Sequence, residues 1–199
     1  MEVKNVGRLY IFYVIGRADE TMTEKRIMLI GCGGSGKSTL ASQLGSITGI
    51  PVVHLDQLFW RPGWQHISQE KFNDLLREVV AKDTWIVDGN FDRTIDLRLE
   101  RCDTVIYLDY SRWTCLYSAL KRVLMNWGKT RPDMGTDCPE RIDLEFFKWI
   151  WDFNKTHRIK YCNLLDQLKD KNIYILHRRS EGKVFLDKMR HAFTVGEQE

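Results

Sequence analysis

Short apolar runs alternate along the chain with stretches whose hydrophobic residues recur at helical spacing. The runs Ile27–Ile30, Val52–Leu55, Trp85–Val87, Thr104–Leu108 and Asn172–Leu176 are punctuated by Gly, Asp or charged residues, as buried parallel strands are. Between them, Lys37–Ile47, Gln69–Lys82, Ser111–Asn126, Glu140–Leu168 and Gly182–Phe193 read as helices. This alternation predicts right-handed βαβ units and a five-stranded parallel sheet with helices on both faces. One interval breaks the rhythm. More than 60 residues separate the fourth and fifth predicted strands, and the middle, Trp127–Pro139, is polar and contains Gly and Pro. Such an interruption predicts a mobile lid, over about residues 122–160. Within it Phe146, Phe147, Trp149, Ile150, Trp151 and Phe153 make one helical segment apolar nearly all round, which predicts burial between other elements. Base stacking by these aromatics, interleaved with Lys148, Lys155 and Arg158, is the alternative.

Residues 1–21 stand apart. Met22-Thr-Glu-Lys-Arg leads directly into the first predicted strand. Residues 1–21 therefore read as a leader or extension without fixed structure, and 22–199 as one domain. An extra edge strand built from Leu9–Ile15 is the other reading. The length of 199 residues fits one domain with a small insertion, and 43% apolar residues exclude global disorder. The seven-residue run Leu9–Ile15 is too short for a membrane span, which needs about 18 residues, and no small-residue cleavage site follows it. Five cysteines with no CxxC pair fit free thiols in a reducing cytosol. Thirty Lys and Arg against 27 Asp and Glu leave a net charge of +3, too balanced to indicate nucleic-acid binding. The expectation is a cytoplasmic protein, monomeric or homodimeric, with no membrane or nucleic-acid partner.

Gly31-Cys-Gly-Gly-Ser-Gly-Lys-Ser38 matches GxxxxGK[ST] in full, after a predicted strand and at the opening of a predicted helix. Gly31, Gly33, Gly34 and Gly36, with Ser35 among them, let the backbone wrap an anion without obstructing side chains. The helix beginning at Lys37, Ser38 and Thr39 adds its free N–H groups and positive dipole end. Lys37 can reach the β- and γ-phosphates of ATP, and the Ser38 hydroxyl can ligate Mg²⁺. No Asn/Thr-Lys-x-Asp segment is present, which argues against a GTPase, and the small size argues against a motor. ATP, Mg²⁺ and a small-molecule phosphoryl acceptor are the expected cofactors and partners.

Carboxylates at strand ends complete the pattern. Asp56 follows the second predicted strand, where open α/β sheets bind ligands. It can orient or deprotonate an acceptor hydroxyl or hold a magnesium-bound water, unless it simply caps a helix. His54, two positions earlier, reads as structural. Asp88 ends the third strand before a glycine, an arrangement that supports Mg²⁺. Asp109 ends the fourth strand and has a helix cap as its simpler reading. Residues 119–160 hold nine Lys and Arg against six Asp and Glu, Arg122, Arg131, Arg141 and Arg158 among them. Cations of this kind stabilise a transferring phosphoryl group, or they form a solvated face.

Asp88-Gly-Asn-Phe-Asp-Arg-Thr94 resembles the Asp-Gly-Phe-Pro-Arg segment of adenylate kinases, one residue longer and without the proline. The resemblance implies that Arg93 faces an acceptor phosphate, that Arg122 lies against the ATP base, and that Arg131 and Arg141 belong to the lid, with Arg158 on the returning helix. A group of bacterial adenylate-kinase-like proteins, the FlaR-related topology modulation proteins, is more similar still. His54-Leu-Asp-Gln-Leu-Phe-Trp-Arg-Pro-Gly-Trp64, Val87-Asp-Gly-Asn90 and Cys138-Pro-Glu-Arg-Ile-Asp-Leu-Glu-Phe-Phe-Lys-Trp149 carry that likeness over about residues 26–178. It implies a P-loop NTPase fold of nucleotide-kinase type, strand order 2-3-1-4-5, and phosphoryl transfer to a nucleoside monophosphate or a small hydroxylated acceptor. Lys37, Asp56, Arg93, Arg122 and Arg131 are then the expected catalytic residues, with Ser38 and Asp88 at the metal. The group's designation also implies the alternative of a DNA-binding ATPase acting on topology or transcription. An aspartate after the second strand is similar to that of shikimate- and gluconate-type kinases.

Overall fold

A computed structural model describes residues 13–15 and 25–196. In chain order the elements are β1 (Tyr13–Ile15), β2 (Arg26–Gly31), α1 (Lys37–Thr48), β3 (Val52–His54), α2 (Leu55–Phe59), β4 (Trp60–Arg61), β5 (Gln65–His66), α3 (Gln69–Val80), β6 (Trp85–Asp88), α4 (Ile95–Arg101), β7 (Thr104–Leu108), α5 (Arg112–Met125), α6 (Leu144–Leu165), β8 (Asn172–Leu176) and α7 (Arg179–Gly196). The main sheet runs β1-β8-β7-β2-β6-β3. Its five parallel strands follow the expected order 2-3-1-4-5. Beyond these, β1 pairs antiparallel with β8, Tyr13 opposite Ile175 and Ile15 opposite Ile173, so the described sheet has six strands rather than five. Those three residues fall within 1–21, the segment read as a leader; the rest of it lies outside the described residues.

The central strands are buried because helices cover both faces, and their sequences are correspondingly apolar throughout. All four residues of β6 and all five of β7 are buried. The covering helices show the complementary one-sided pattern. In α3 the buried Phe72, Leu76, Val79 and Val80 recur at helical spacing behind a Ser68 cap whose side chain accepts from the Lys71 N–H. In α5 the buried residues are Cys115, Ala119 and Val123, behind a Ser111 cap. Helix α6 starts at Leu144, four residues later than expected, because the Asp143 side chain accepts from the Phe146 N–H and fixes the start there. It is not buried all round, since Trp151 faces outward.

The interval read as a lid is largely these two helices. Only residues 126–143 are irregular, with bridges Trp127–Glu140 and Thr130–Pro139. This loop is fastened to the β4–β5 hairpin. The Gly63 N–H donates to the Asp137 carbonyl at 2.9 Å, Trp64 Nε1 to the Pro139 carbonyl at 3.1 Å, and Gln57 Nε2 to the Pro132 carbonyl. A Cβ on Gly135 would collide with the Trp60 carbonyl. The loop and the hairpin together roof the carboxyl ends of β2, β3 and β6.

Candidate active site

The loop after β2 wraps a cavity of about 890 Å³. Gly36 has φ 94° and open space where a Cβ would stand; the left-handed backbone there turns the chain into α1. Gly31 serves packing instead. A Cβ there would come within 2.6 Å of the Leu108 carbonyl on β7, and Gly31 does not line the cavity. Lys37 Nζ lies across the loop and donates to the carbonyls of Gly31 and Cys32 at 2.9 Å each. Gly33, Gly34, Gly36, Ser38 and Thr39 line the cavity with it, while Ser35 is buried beneath. Phe146 on α6 presses its ring on Gly33, where a Cβ would approach to 2.6 Å.

A second turn braces the first. Asn90 Oδ1 accepts from the Gly31 N–H at 3.0 Å and its Nδ2 donates back to the Gly31 carbonyl at 2.8 Å. Arg98 in turn holds the segment 89–91. Fully buried, it donates to the carbonyls of Gly89 at 2.6 Å, Asn90, and Phe91 at 3.2 Å, and burial lowers its pKa to about 10. Phe91 needs this clamp, because its φ of 36° is a left-handed conformation costly for a bulky residue. Sequence reasoning passed over Arg98; an arginine on a short helix carries no signal that its fork closes on backbone carbonyls.

The carboxylates converge on the same cavity. Asp88 is buried at the end of β6, and its Oδ2 accepts from His54 Nδ1 at 2.9 Å. His54 Nε2 stands 3.5 Å from the Ser42 hydroxyl. Burial would lower the His54 pKa, but the hydrogen bond and charge of Asp88 outweigh it, so the pKa is raised. The other oxygen, Asp88 Oδ1, is buried with no protein partner. Asp88 and Ser38 both line the cavity, and an orphaned carboxylate oxygen together with a hydroxyl is a donor set that fits Mg²⁺. Asp56 stands in the first turn of α2, which has no side-chain cap, so the capping role is not what holds it. It lines the cavity, and its pKa is pushed up to about 6, first by burial and then by the charge of Asp88.

The expected arginines divide. Arg122 and Arg131 both line the cavity and both pair with the buried Glu140, at 3.1 and 2.5 Å; Arg131 also pairs with Asp133 at 2.8 Å. Arg141 stacks on Trp64, 5.3 Å from the ring centre. Arg93 is not brought to Lys37. It is exposed on a smaller cleft of about 340 Å³ behind Asn90 and Phe91. Arg158 grips Asp109 with two hydrogen bonds of 2.7 and 2.8 Å, and His177 stands 3.3 Å from the same carboxylate. That ion cluster, rather than a helix cap, occupies Asp109. Arg179 also lines the cavity and donates to the Ser118 hydroxyl at 2.5 Å; it follows β8, outside every motif.

Comparison with known proteins bears on the fold. No family model matches the chain, and no curated protein matches it in sequence. Among solved structures it is similar to a shikimate kinase from Acinetobacter baumannii in complex with shikimate, with TM-score 0.57 and 14% identity over 89% of this chain and 97% of that one. A shikimate kinase from Bacteroides thetaiotaomicron gives TM-score 0.50 at 14% identity, covering 85% and 98%. A gluconokinase from Sinorhizobium meliloti 1021 gives 0.50 at 12%, covering 86% and 92%. What the chain shares with these structures is the fold, a five-stranded parallel sheet between helices.

Proposed function

We propose that the protein is an ATP- and Mg²⁺-dependent phosphotransferase that moves the γ-phosphoryl group of ATP to a hydroxyl of a small acceptor in the cytoplasm. The observation that carries this reading is the placement of Asp56 on the wall of the P-loop cavity. Asp56 there feels the charges of Lys37, Arg131 and Asp88. Such a carboxylate suits an acceptor hydroxyl better than an acceptor phosphate, which it would repel. The other cations prepare the donor side. Lys37 exchanges its two loop carbonyls for phosphate oxygens, and Arg122 and Arg131 exchange Glu140 for them.

In the transfer the acceptor oxygen forms a bond to the γ-phosphorus while the bridging P–O bond to ADP breaks. The electron pair leaves with ADP and the hydroxyl proton passes to Asp56. Ser38 and Asp88 would hold Mg²⁺, which would supply neutralisation of the β- and γ-phosphate charge. His54 engages one Asp88 oxygen and leaves the other without a protein partner.

The likeness to the shikimate kinases and gluconokinase supports this reading through the fold, and the resemblance to the FlaR-related group is compatible with it. The test is incubation with γ-labelled ATP and a panel of hydroxylated metabolites and nucleoside monophosphates. Label transfer to a hydroxyl compound, lost in Asp56→Asn, is expected; transfer to monophosphates alone overturns the acceptor class.

A further inference from the structure

Helix α5 has two unlike faces. The inner one, Cys115, Ala119 and Val123, is buried, and Gly34 of the P-loop lies so close that a Cβ would meet the Cys115 carbonyl and Ala119. The outer one carries Trp113, Tyr117, Leu120 and Leu124, followed by Trp127. Within the helix the spacing is four, three and four residues, that of a seam that two helices bury between them, and Trp127 follows just past the helix end. Beside it on α6, Trp151 meets Trp113 edge-on at 5.2 Å, and Leu144 stands exposed at the start of the helix. These seven side chains keep between 41% and 78% of their surface exposed. Single exposed apolar residues are ordinary on a protein surface; a periodic stripe continued across a second helix is not.

The size of this face selects among occupants. At 150–250 Å² for each aromatic side chain and somewhat less for leucine, the exposed apolar area is roughly 700–900 Å². That exceeds the few hundred Å² typical of the largest patch on a monomer and matches the ~800 Å² that each partner contributes to a stable interface. The rim bears both signs. Lys121, Glu145 and Lys148 are exposed and Asp152 is half-buried. Lys148 stands one turn from both Leu144 and Trp151, Arg112 lies over the Trp151 ring at 4.9 Å, and Glu145 and Asp152 flank the apolar face at its edge. A mixed rim can be satisfied by the same rim turned round, whereas an anionic membrane or nucleic acid calls for one sign.

We propose that the outer faces of α5 and α6 form a homodimer interface. Two copies related by a two-fold axis would cross the seam between Tyr117 and Leu120. The Trp113 end of each helix then lies on the Leu124 end of the other. The inner face of the same helix supports Gly34, so the dimer braces the P-loop from behind. This holds whatever the acceptor proves to be.

Sedimentation velocity of the full chain over about 1–100 μM, concentrations that bracket ordinary interface affinities, tests it directly. A dimer is expected. Leu120→Glu, near the crossing point, and, separately, Trp113→Ser should each weaken it by at least roughly 30-fold, as loss of a hot spot does, with unchanged circular dichroism melts. Ile159→Glu, two turns of α6 beyond Trp151, should leave it intact. A wild-type monomer throughout the range overturns the proposal, as does a dimer indifferent to both seam variants. A monomer that pellets with phosphatidylserine vesicles overturns it too, and gives the face to a membrane surface.

Discussion

Asp56 is held at a cost to stability, and the size of that cost is measurable. A carboxyl with an ordinary value of 3.8 is pushed to about 6 in the folded protein by burial and by Asp88. Below about pH 3 the group is protonated whether the chain is folded or not, and it costs almost nothing. As the pH rises towards 6 the unfolded chain loses the proton while the folded one retains it. Above about pH 6 the folded protein carries a charge it disfavours. The gap between the folded and unfolded values corresponds to about 3 kcal/mol at most, and about 1–3 kcal/mol once the water that reaches its partly open side is allowed for. Asp56→Asn removes the charge and keeps the shape. It should therefore stabilise the protein by about 1–3 kcal/mol at pH 7.5 and by no more than about 0.5 kcal/mol at pH 4, read from urea midpoints at the two pH values. In the proposed reaction the same variant should keep its ATP affinity while turnover falls roughly 10²–10⁴-fold, the range of a positioned base. A variant no more stable than wild type at pH 7.5 would refute the electrostatic argument; full turnover would refute the catalytic one.

Three other outcomes are expected. Lys37→Ala should fold normally and lose at least about tenfold in ATP affinity by calorimetry, because its ammonium is the side-chain cation that lies across the loop; unchanged affinity would remove Lys37 from the site. Arg98→Met should lower stability by about 3–5 kcal/mol in urea titration, since it strips buried carbonyls of their donors, and a loss below about 1 kcal/mol would show that the clamp is dispensable. A net charge of +3 predicts duplex DNA binding that disappears between low salt and about 0.15 M; sequence-selective submicromolar binding at 0.15 M would favour the DNA-binding reading instead.

Much of the framework was legible in one dimension because the forces that specify it are local or periodic. Apolar runs such as Ile27–Ile30 and Thr104–Leu108 state that they are buried on both faces. The GxxxxGK[ST] spacing places Lys37 and Ser38 because glycine's backbone freedom and a helix N-terminus act over a few residues. Short elements carried too little pattern to be read. Helix α2 has five residues and α4 seven, barely one or two turns, and the β4–β5 hairpin has two residues per strand. What only the tertiary structure decided are the pairings across distance. The sequence offered Asp88 and Asp109 as strand-ending aspartates, with Gly89 favouring Asp88 for the metal and a helix cap as the simpler reading of Asp109. The fold gave Asp109 to Arg158 and His177, and left Asp88 with one oxygen on His54 and one free. It likewise sent Arg122 and Arg131 to the P-loop cavity and Arg93 to a different cleft, though all three are arginines next to loops. Such assignments depend on which side chains topology brings within a few ångströms, and charge–charge energy falls with that distance rather than with separation along the chain.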